Sequence, residues 1–297
     1  MFQTADKLES TFIKWSKRAS DNEESKCDNA LKMIKDAINK SPKLSKYEFS
    51  YIQQGSYYNN TNVRLNSDVD IAVRKKNTFF ADYPLGKTHE DFGNHSSSYA
   101  FEDYRKDVYQ ALVNKFGVEN VELADKCIKI RSNSYRVDAD VVPCYEHRRY
   151  STDGEYILGN AFKTRKSLKL VKNFPEQHYS NGIEKNNRTS RRYKRVVRIL
   201  KRLRYELKEK GYRHENISSF LIECLVYNAP DDLFNNRTYT EDVQKVLNYL
   251  IANTALDTYC LLWTEVSGLL NLFSTEKSYS REDVNKFLND SFNYLFK

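Results

Sequence analysis

The sequence predicts an α+β protein in two parts, a mixed α/β half followed by an all-helical half. Three observations carry the prediction. Apolar and polar residues alternate through 47–73 and again through 121–142, the pattern of strands with one buried face. Apolar residues instead recur at intervals of three and four in 1–40 and from Arg191 onward, the pattern of amphipathic helices. At 297 residues and 40% apolar content the chain can enclose one large core or two lobes, and disorder is excluded.

Taken in order, Leu8, Phe12 and Trp15 mark a first helix. Ala30, Leu31, Ile34, Ala37 and Ile38 mark a second, stopped by Ser41-Pro42. Over 1–45 the two are expected to form an N-terminal helical brace. Strand-like alternation from Tyr47 is broken by the polar loop Asn59-Asn60-Thr61-Asn62 and resumes into Asp68-Val69-Asp70-Ile71-Ala72-Val73. Gly86 to Ser98, rich in Gly, His and Ser, reads as an exposed loop. A helix over 99–116 follows, then strands at 121–124, 127–131 and 135–142. After Pro143 the chain is expected to be irregular until a long helix near Arg191. On that helix Tyr193, Val196, Val197, Leu200, Leu203 and Leu207 share one apolar sector at 100° per residue, with Lys194, Lys201 and Lys208 along one flank. The remainder is helical in pattern, broken at Pro230 and Asp231-Asp232. The expected boundaries are therefore a brace over 1–45, an α/β core over 46–185, and a long helix with a helical lobe over 186–297.

Charge and cysteine usage narrow the function. The net charge is +8, yet thirteen Lys and Arg face only Glu206 and Glu209 between Lys185 and Arg213, a local excess of eleven that leaves the rest at −3. Such a stripe attracts polyanions, whether nucleic acid, nucleotide phosphates or anionic lipid, unless it is only the solvated face of a helix. Cys27, Cys127, Cys144, Cys224 and Cys260 form no C-x-x-C pair and no Cys/His cluster, which argues against a zinc module or a disulfide scaffold and for a reducing cytoplasm. Without a signal-like N-terminal segment or an apolar run near the roughly 18 residues of a membrane span, neither secretion nor membrane insertion is expected.

The acidic residues carry the chemistry. Asp68 and Asp70 are two apart on a predicted strand, so both leave the same face while Val69 and Ile71 point to the core. Paired carboxylates suit hard cations such as Mg²⁺, which take oxygen ligands and keep waters for substrate phosphates. Gly55-Ser56 ends the preceding strand-like run, where a Gly lets the backbone approach closely and a hydroxyl with adjacent amides can grip a phosphate. Asp138 and Asp140 share a face of a second strand. Either would complete a site for two metals ~3.5–4 Å apart, and spacing alone does not choose between them.

Gly55-Ser56, eleven residues, Asp68-Val69-Asp70 and a later strand Asp are similar to the signature of the polymerase-β-like nucleotidyltransferase superfamily. Within it, Gly55-Ser56-Tyr57-Tyr58-Asn59-Asn60-Thr61-Asn62-Val63-Arg64, Ser67-Asp68-Val69-Asp70-Ile71 and Asp140-Val141-Val142-Pro143 resemble the cGAS/DncV-like nucleotidyltransferases of bacteria. The resemblance implies a core with a mixed sheet, a long spine helix and a helical C-terminal lobe. It assigns Asp68, Asp70 and Asp140 to two Mg²⁺ ions, with Mn²⁺ as the alternative, and leaves Asp138 as a neighbour. It further implies that Gly55, Ser56, Lys201 and Ser219 contact nucleotide phosphates and that Phe220 stacks on a base, against the alternative that Phe220 packs in the core. Asn173-Phe174-Pro175 resembles a segment where many relatives have Ser-Asp-Pro; Asn there accompanies pyrimidine use, which implies UTP beside ATP as substrate.

The activity so implied is synthesis of a cyclic di- or oligonucleotide, a second messenger that acts on a separate effector in anti-phage signalling. A non-cyclising oligonucleotide synthase or terminal nucleotidyltransferase would use the same aspartates. A nucleic-acid-binding module reading phosphates with the 185–213 stripe is the alternative of another class; it leaves the aspartates unexplained, and the catalytic reading does not require nucleic-acid binding. His147 and His178 lack a partner at a recognisable spacing and read as surface or structural, and Cys144 as a small buried hydrophobe.

Overall fold

A computed structural model describes residues 5–18, 24–63, 68–275 and 277–297. The two N-terminal helices that the apolar spacing predicts are α1 (Ala5–Trp15) and α2 (Glu24–Asn39). They belong to different compact units, so the expected 1–45 brace is divided. The physical reason lies in their apolar faces: Leu8 and Phe12 of α1 enter a helical core, whereas Ile34 and Ile38 of α2 enter the core beneath a sheet.

The sheet unit comprises the described residues of 24–58 and 68–175. Its strands are β1 (Phe49–Gln54), β2 (Val69–Asp82), β3 (Val121–Leu123), β4 (Ile128–Ile130), β5 (Ala139–Tyr150), β6 (Tyr156–Lys163) and β7 (Leu170–Asn173). They run in the order β1-β2-β5-β4-β3, with β6 beside β5 and β7 beside β6. Only the β2–β5 pairing is parallel among these, so the sheet is mixed. A one-turn helix, α3 (Gly55–Tyr58), follows β1 directly, and α4 (Phe101–Phe116) lies in the connection after β2. Tyr104, Val108 and Leu112 of α4 join Ile34 and Ile38 against Val69, Ile71, Val73 and Val141. Each such buried side chain contributes ~1.5–3 kcal/mol.

Pro143 does not end its strand. β5 continues through it to Tyr150, and β6 and β7 occupy the stretch expected to be irregular. The pairing explains the tolerance. β4 stops pairing with β5 at Val141 and β6 starts at Tyr145, so on that edge Pro143 faces no strand and its missing N–H breaks no ladder bond.

The helical unit comprises the described residues of 5–18, 59–63 and 176–297. Besides α1 it contains α5 (Pro175–Arg188) from Glu176 on, α6 (Tyr193–Glu209), α7 (Ser219–Tyr227), α8 (Tyr239–Asn253), α9 (Asp257–Cys260) and α10 (Arg281–Phe296). The apolar sector of α6 is buried as the spacing predicts, in a core shared with Phe12, Leu221, Phe234, Leu247 and Phe287. Its unit begins at about residue 176 rather than 186, because α5 is bonded within it, His178 to Glu223, Asn181 to the Val266 carbonyl and Lys185 to the Ala229 carbonyl.

The basic stripe is a correction in kind. Lys185, Lys194, Arg198 and Lys201 are all buried. Lys185 and Arg188 share Asp231, Arg192 pairs with Asp242, and Arg198 donates to the carbonyls of Ser16 and Asn60 at 2.6 Å each. Several of the cations that looked like a polyanion-binding face therefore hold helices to one another, which removes part of the ground for a nucleic-acid-binding module. No helix among the described residues is long and apolar enough to cross a membrane.

Candidate active site

One row across the sheet gathers the acidic residues. Gln54 of β1, Asp70 of β2, Asp140 of β5 and Lys129 of β4 are consecutive cross-strand partners. The alternation that buries Val69, Ile71 and Val141 turns Asp70 and Asp140 to the opposite face. Asp68 stands exposed just before β2. Asp138 lies just before β5 and its carboxylate accepts from the Ser132 amide, so of the two sequence candidates it is Asp140 that lies in register with Asp70.

Electrostatics set the carboxyls of this row apart from ordinary surface acids. Burial, then the neighbouring carboxylates of Asp140 and Asp68, push Asp70 up from 3.8 to about 7. Burial also raises Asp140, against the Cys127 thiol hydrogen bond and the Lys129 charge that favour its ionised form. Among the described residues no group of three His, Cys, Asp or Glu side chains is arranged to hold a metal ion by itself. Mg²⁺ does not require one, since it is bound through one or two carboxylates, waters and substrate phosphates. The donor set fits it: hard oxygens, with a raised carboxyl whose repulsion a dication relieves.

Gly55 sits where β1 turns into α3, at φ +72°. A Cβ there would lie 1.8 Å from Asp70 Oδ2, so the residue must lack a side chain for two independent reasons. Gly55→Ala is expected to cost about 1–2 kcal/mol of backbone strain and to displace the Asp70 carboxylate. A fall of at least ~10-fold in nucleotidyl transfer with a small loss of thermal midpoint checks this; unchanged transfer refutes the close approach. Ser56 follows, half-buried in α3.

Asn173 closes β7 within the same unit. Its Nδ2 donates to Gln54 Oε1 at 3.4 Å, and its Oδ1 is buried without a hydrogen-bond partner. An amide with one oxygen left over beside the residue that precedes Gly55 is a place where a ligand's donor can be read.

The helical unit holds Lys201, Ser219 and Phe220. Ser218 caps α7 by accepting from the Leu221 amide at 3.0 Å, which leaves Ser219 half-exposed in the first turn. Phe220 is 44% exposed and so does not pack in the core. Lys201, on the flank of the apolar sector of α6, is buried. It is 2% exposed, and its ammonium donates to Glu223 Oε2 at 2.8 Å and Thr61 Oγ1 at 2.9 Å. Thr61 in turn donates to Glu223 Oε2 at 2.6 Å, and His178 Nε2 lies 3.0 Å from Glu223 Oε1. Burial alone would raise the Glu223 carboxyl; the Lys201 charge and the His178 hydrogen bond override it and hold it well below the ordinary range. Sequence reasoning missed Glu223, whose only signal is a lone acid in the apolar run Phe220-Leu221-Ile222-Glu223-Cys224-Leu225.

Asp70 and Asp140 thus lie in register on parallel neighbouring strands, with Asp68 beside them and Gly55 pressed against the Asp70 carboxylate. Residues 180–296 match the family model of the cGAS/DncV-like nucleotidyltransferase C-terminal helical domain. The chain belongs to the cGAS/DncV-like nucleotidyltransferases, a family of generally metal-dependent enzymes. It is 46% identical to a cyclic dipyrimidine nucleotide synthase, CdnE, of Cecembia lonarensis, over 97% of this chain and 98% of that one. Among solved structures it is similar to the Elizabethkingia meningoseptica CdnE cyclic dinucleotide synthase with GTP and Apcpp (37% identity, TM-score 0.80, 97% and 99% of the two chains). It is also similar to the Rhodothermus marinus CdnE c-UMP-AMP synthase with Apcpp and Upnpp (28% identity, TM-score 0.84, 97% of each chain).

Proposed function

We propose that the chain joins nucleoside triphosphates, UTP among them, into a cyclic di- or short oligonucleotide. The observation that carries this is the in-register pair Asp70–Asp140 with Asp68 and Gly55 beside it. The 46% identical cyclic dipyrimidine nucleotide synthase supports the product class. A ribose hydroxyl oxygen forms a bond to the α-phosphorus of a second nucleotide, the α–β phosphoanhydride bond breaks, pyrophosphate leaves and the hydroxyl proton passes to solvent. A second such transfer, releasing a second pyrophosphate, closes the ring of a dinucleotide, and each further nucleotide in the ring requires one transfer more.

Asp68, Asp70 and Asp140 are assigned to two Mg²⁺ ions, with Mn²⁺ the alternative. The chemistry Mg²⁺ supplies when bound is neutralisation of the triphosphate and a lower pKa for the attacking hydroxyl. Gly55, Ser56 and Ser219 are assigned to orienting phosphates. Lys201 has three donors and spends two on Glu223 and Thr61, so the third is the one a phosphate would take. Phe220, exposed on α7, is assigned to stack on a base, a contact worth about 1–3 kcal/mol. The product would then act on a separate effector as a second messenger of anti-phage defence.

Incubation of the pure protein with labelled ATP, CTP, GTP and UTP and Mg²⁺, followed by phosphatase treatment and mass spectrometry, tests the assignment. A phosphatase-resistant cyclic product containing uridine is expected. A product that stays linear overturns cyclisation in favour of a non-cyclising synthase, and resistant product from Asp68→Ala with Asp70→Ala overturns the aspartate assignment.

Asn173 is assigned to the edge of the pyrimidine, through the oxygen left without a partner. Asn173→Ser replaces the amide by a shorter hydroxyl, which withdraws the amide oxygen from the place where it would meet the base. It is expected to lower incorporation of uridine relative to adenosine about tenfold in competition between UTP and ATP. An unchanged product ratio sinks the assignment.

A further inference from the structure

Phe220 is the second residue of α7, and Glu223, three residues on, is its neighbour on the helix surface. His178 of α5 meets both. Its ring centroid is 5.8 Å from that of Phe220, with the planes 31° apart, and its Nε2 is 3.0 Å from Glu223 Oε1. Because an ionised carboxylate only accepts, Nε2 carries the proton and donates. The other Glu223 oxygen receives Lys201 and Thr61, so the carboxylate cannot turn without breaking contacts to residues of α6 and of the 59–63 segment. His178 is thus held from one side by a fully engaged acid, and at 8% exposure it is itself covered. Phe220, by contrast, is 44% exposed.

A phenyl ring left open to solvent and backed by an anchored imidazole is a built stacking surface. On the assignment of Phe220 to a nucleobase made above, we propose that His178 is a positioning residue for that base: Glu223 locks the imidazole, and the imidazole backs Phe220 so that its outer face is held ready for stacking. Nothing in the reaction asks His178 to exchange a proton. Its contribution is to binding and orientation.

The test separates ring from hydrogen bond. His178→Gln keeps a donor for Glu223 and removes the ring; it is expected to raise KM for one nucleotide about tenfold while kcat stays within about twofold. Weaker binding of a non-hydrolysable ATP or UTP analogue by the same factor is expected. His178→Phe keeps a ring but loses the donor to Glu223, and it is expected to raise KM less than His178→Gln does. Phe220→Ala should raise the same KM, and the double variant His178→Gln with Phe220→Ala should do no more than Phe220→Ala alone. The proposal is overturned if KM is unchanged in His178→Gln, if Gln restores KM where Phe does not, or if the two substitutions add. Analogue binding is read without turnover. A wild type that binds analogue but makes no cyclic product refutes the function proposed above and leaves His178 to be judged on binding.

Discussion

Asp70→Asn is expected to cut product formation on the order of 10³-fold and, in the same purified protein, to raise the thermal midpoint in metal-free buffer at pH 8. The two effects have one origin. Burial and the carboxylates of Asp140 and Asp68 hold Asp70 near 7, against an ordinary value of 3.8. Between these values the folded chain keeps a proton that the unfolded chain has released, so stability falls as pH rises through that window and the cost is complete above 7. Asparagine has no charge to desolvate, and removing the cost should return about 1–3 kcal/mol. A divalent cation in place of the proton does the same for wild type and not for the variant. Thermal midpoints at pH 5 and pH 8, with chelator and with Mg²⁺, check this. A wild type that gains no more from Mg²⁺ than the variant, or a variant that turns over normally, refutes the assignment of Asp70.

How far the site could be read in advance follows from the range of each signal. The face of Asp70 was legible because a strand repeats every two residues, so an acid flanked by Val69 and Ile71 declares its side; the same period puts Asp138 and Asp140 on one face, and only the resemblance of Asp140-Val141-Val142-Pro143 separated them. The α6 core sector was legible for the matching reason at 3.6 residues per turn. What a period cannot carry is the identity of the neighbour. α1 and α2 both show an apolar stripe, and nothing local says that Phe12 belongs with Leu200 while Ile34 belongs with Val69. Pro143 looked like a strand end because the gap between the β4 and β6 pairings is a tertiary fact. Thr61 sits in a run of polar residues that reads as a loop, yet it is fully buried because its hydroxyl meets a carboxylate 162 residues away.

The same blindness explains the charge. A count of Lys and Arg over 185–213 cannot distinguish a cation facing solvent from one consumed inside the fold. Lys201 and Glu223 lie 22 residues apart, on different helices, and their pairing turns what looked like a surface charge into an internal one. Lys194, Lys201 and Lys208, at successive intervals of seven along one flank of α6, illustrate the point: the first two are buried and the third is exposed.

The second large effect is expected at Glu223. Glu223→Ala leaves the Lys201 ammonium buried without its counter-charge and removes the acceptor of Thr61 and His178. Breaking one side of such a buried pair costs about 3–5 kcal/mol, far more than an exposed pair would. Spread over a chain of this size, the thermal midpoint should fall on the order of 10 °C. Lys201→Met together with Glu223→Leu should recover part of that loss, since an apolar pair of similar volume needs no desolvation. A double-mutant cycle should show a coupling above ~1.5 kcal/mol. The sign with pH is set by the direction of the shift. Glu223 is held below its ordinary 4.5, so its contribution is fully present above that value and is lost as acid protonates it in the folded state. The gap between wild type and Glu223→Gln should therefore be constant from pH 6 to 8 and narrow on acidification below about 4.5. A gap that stays constant into acid, or additive single variants, would show that Glu223 fills space rather than holding charge. In that case neither the Lys201 ammonium nor the His178 ring would owe its place to it.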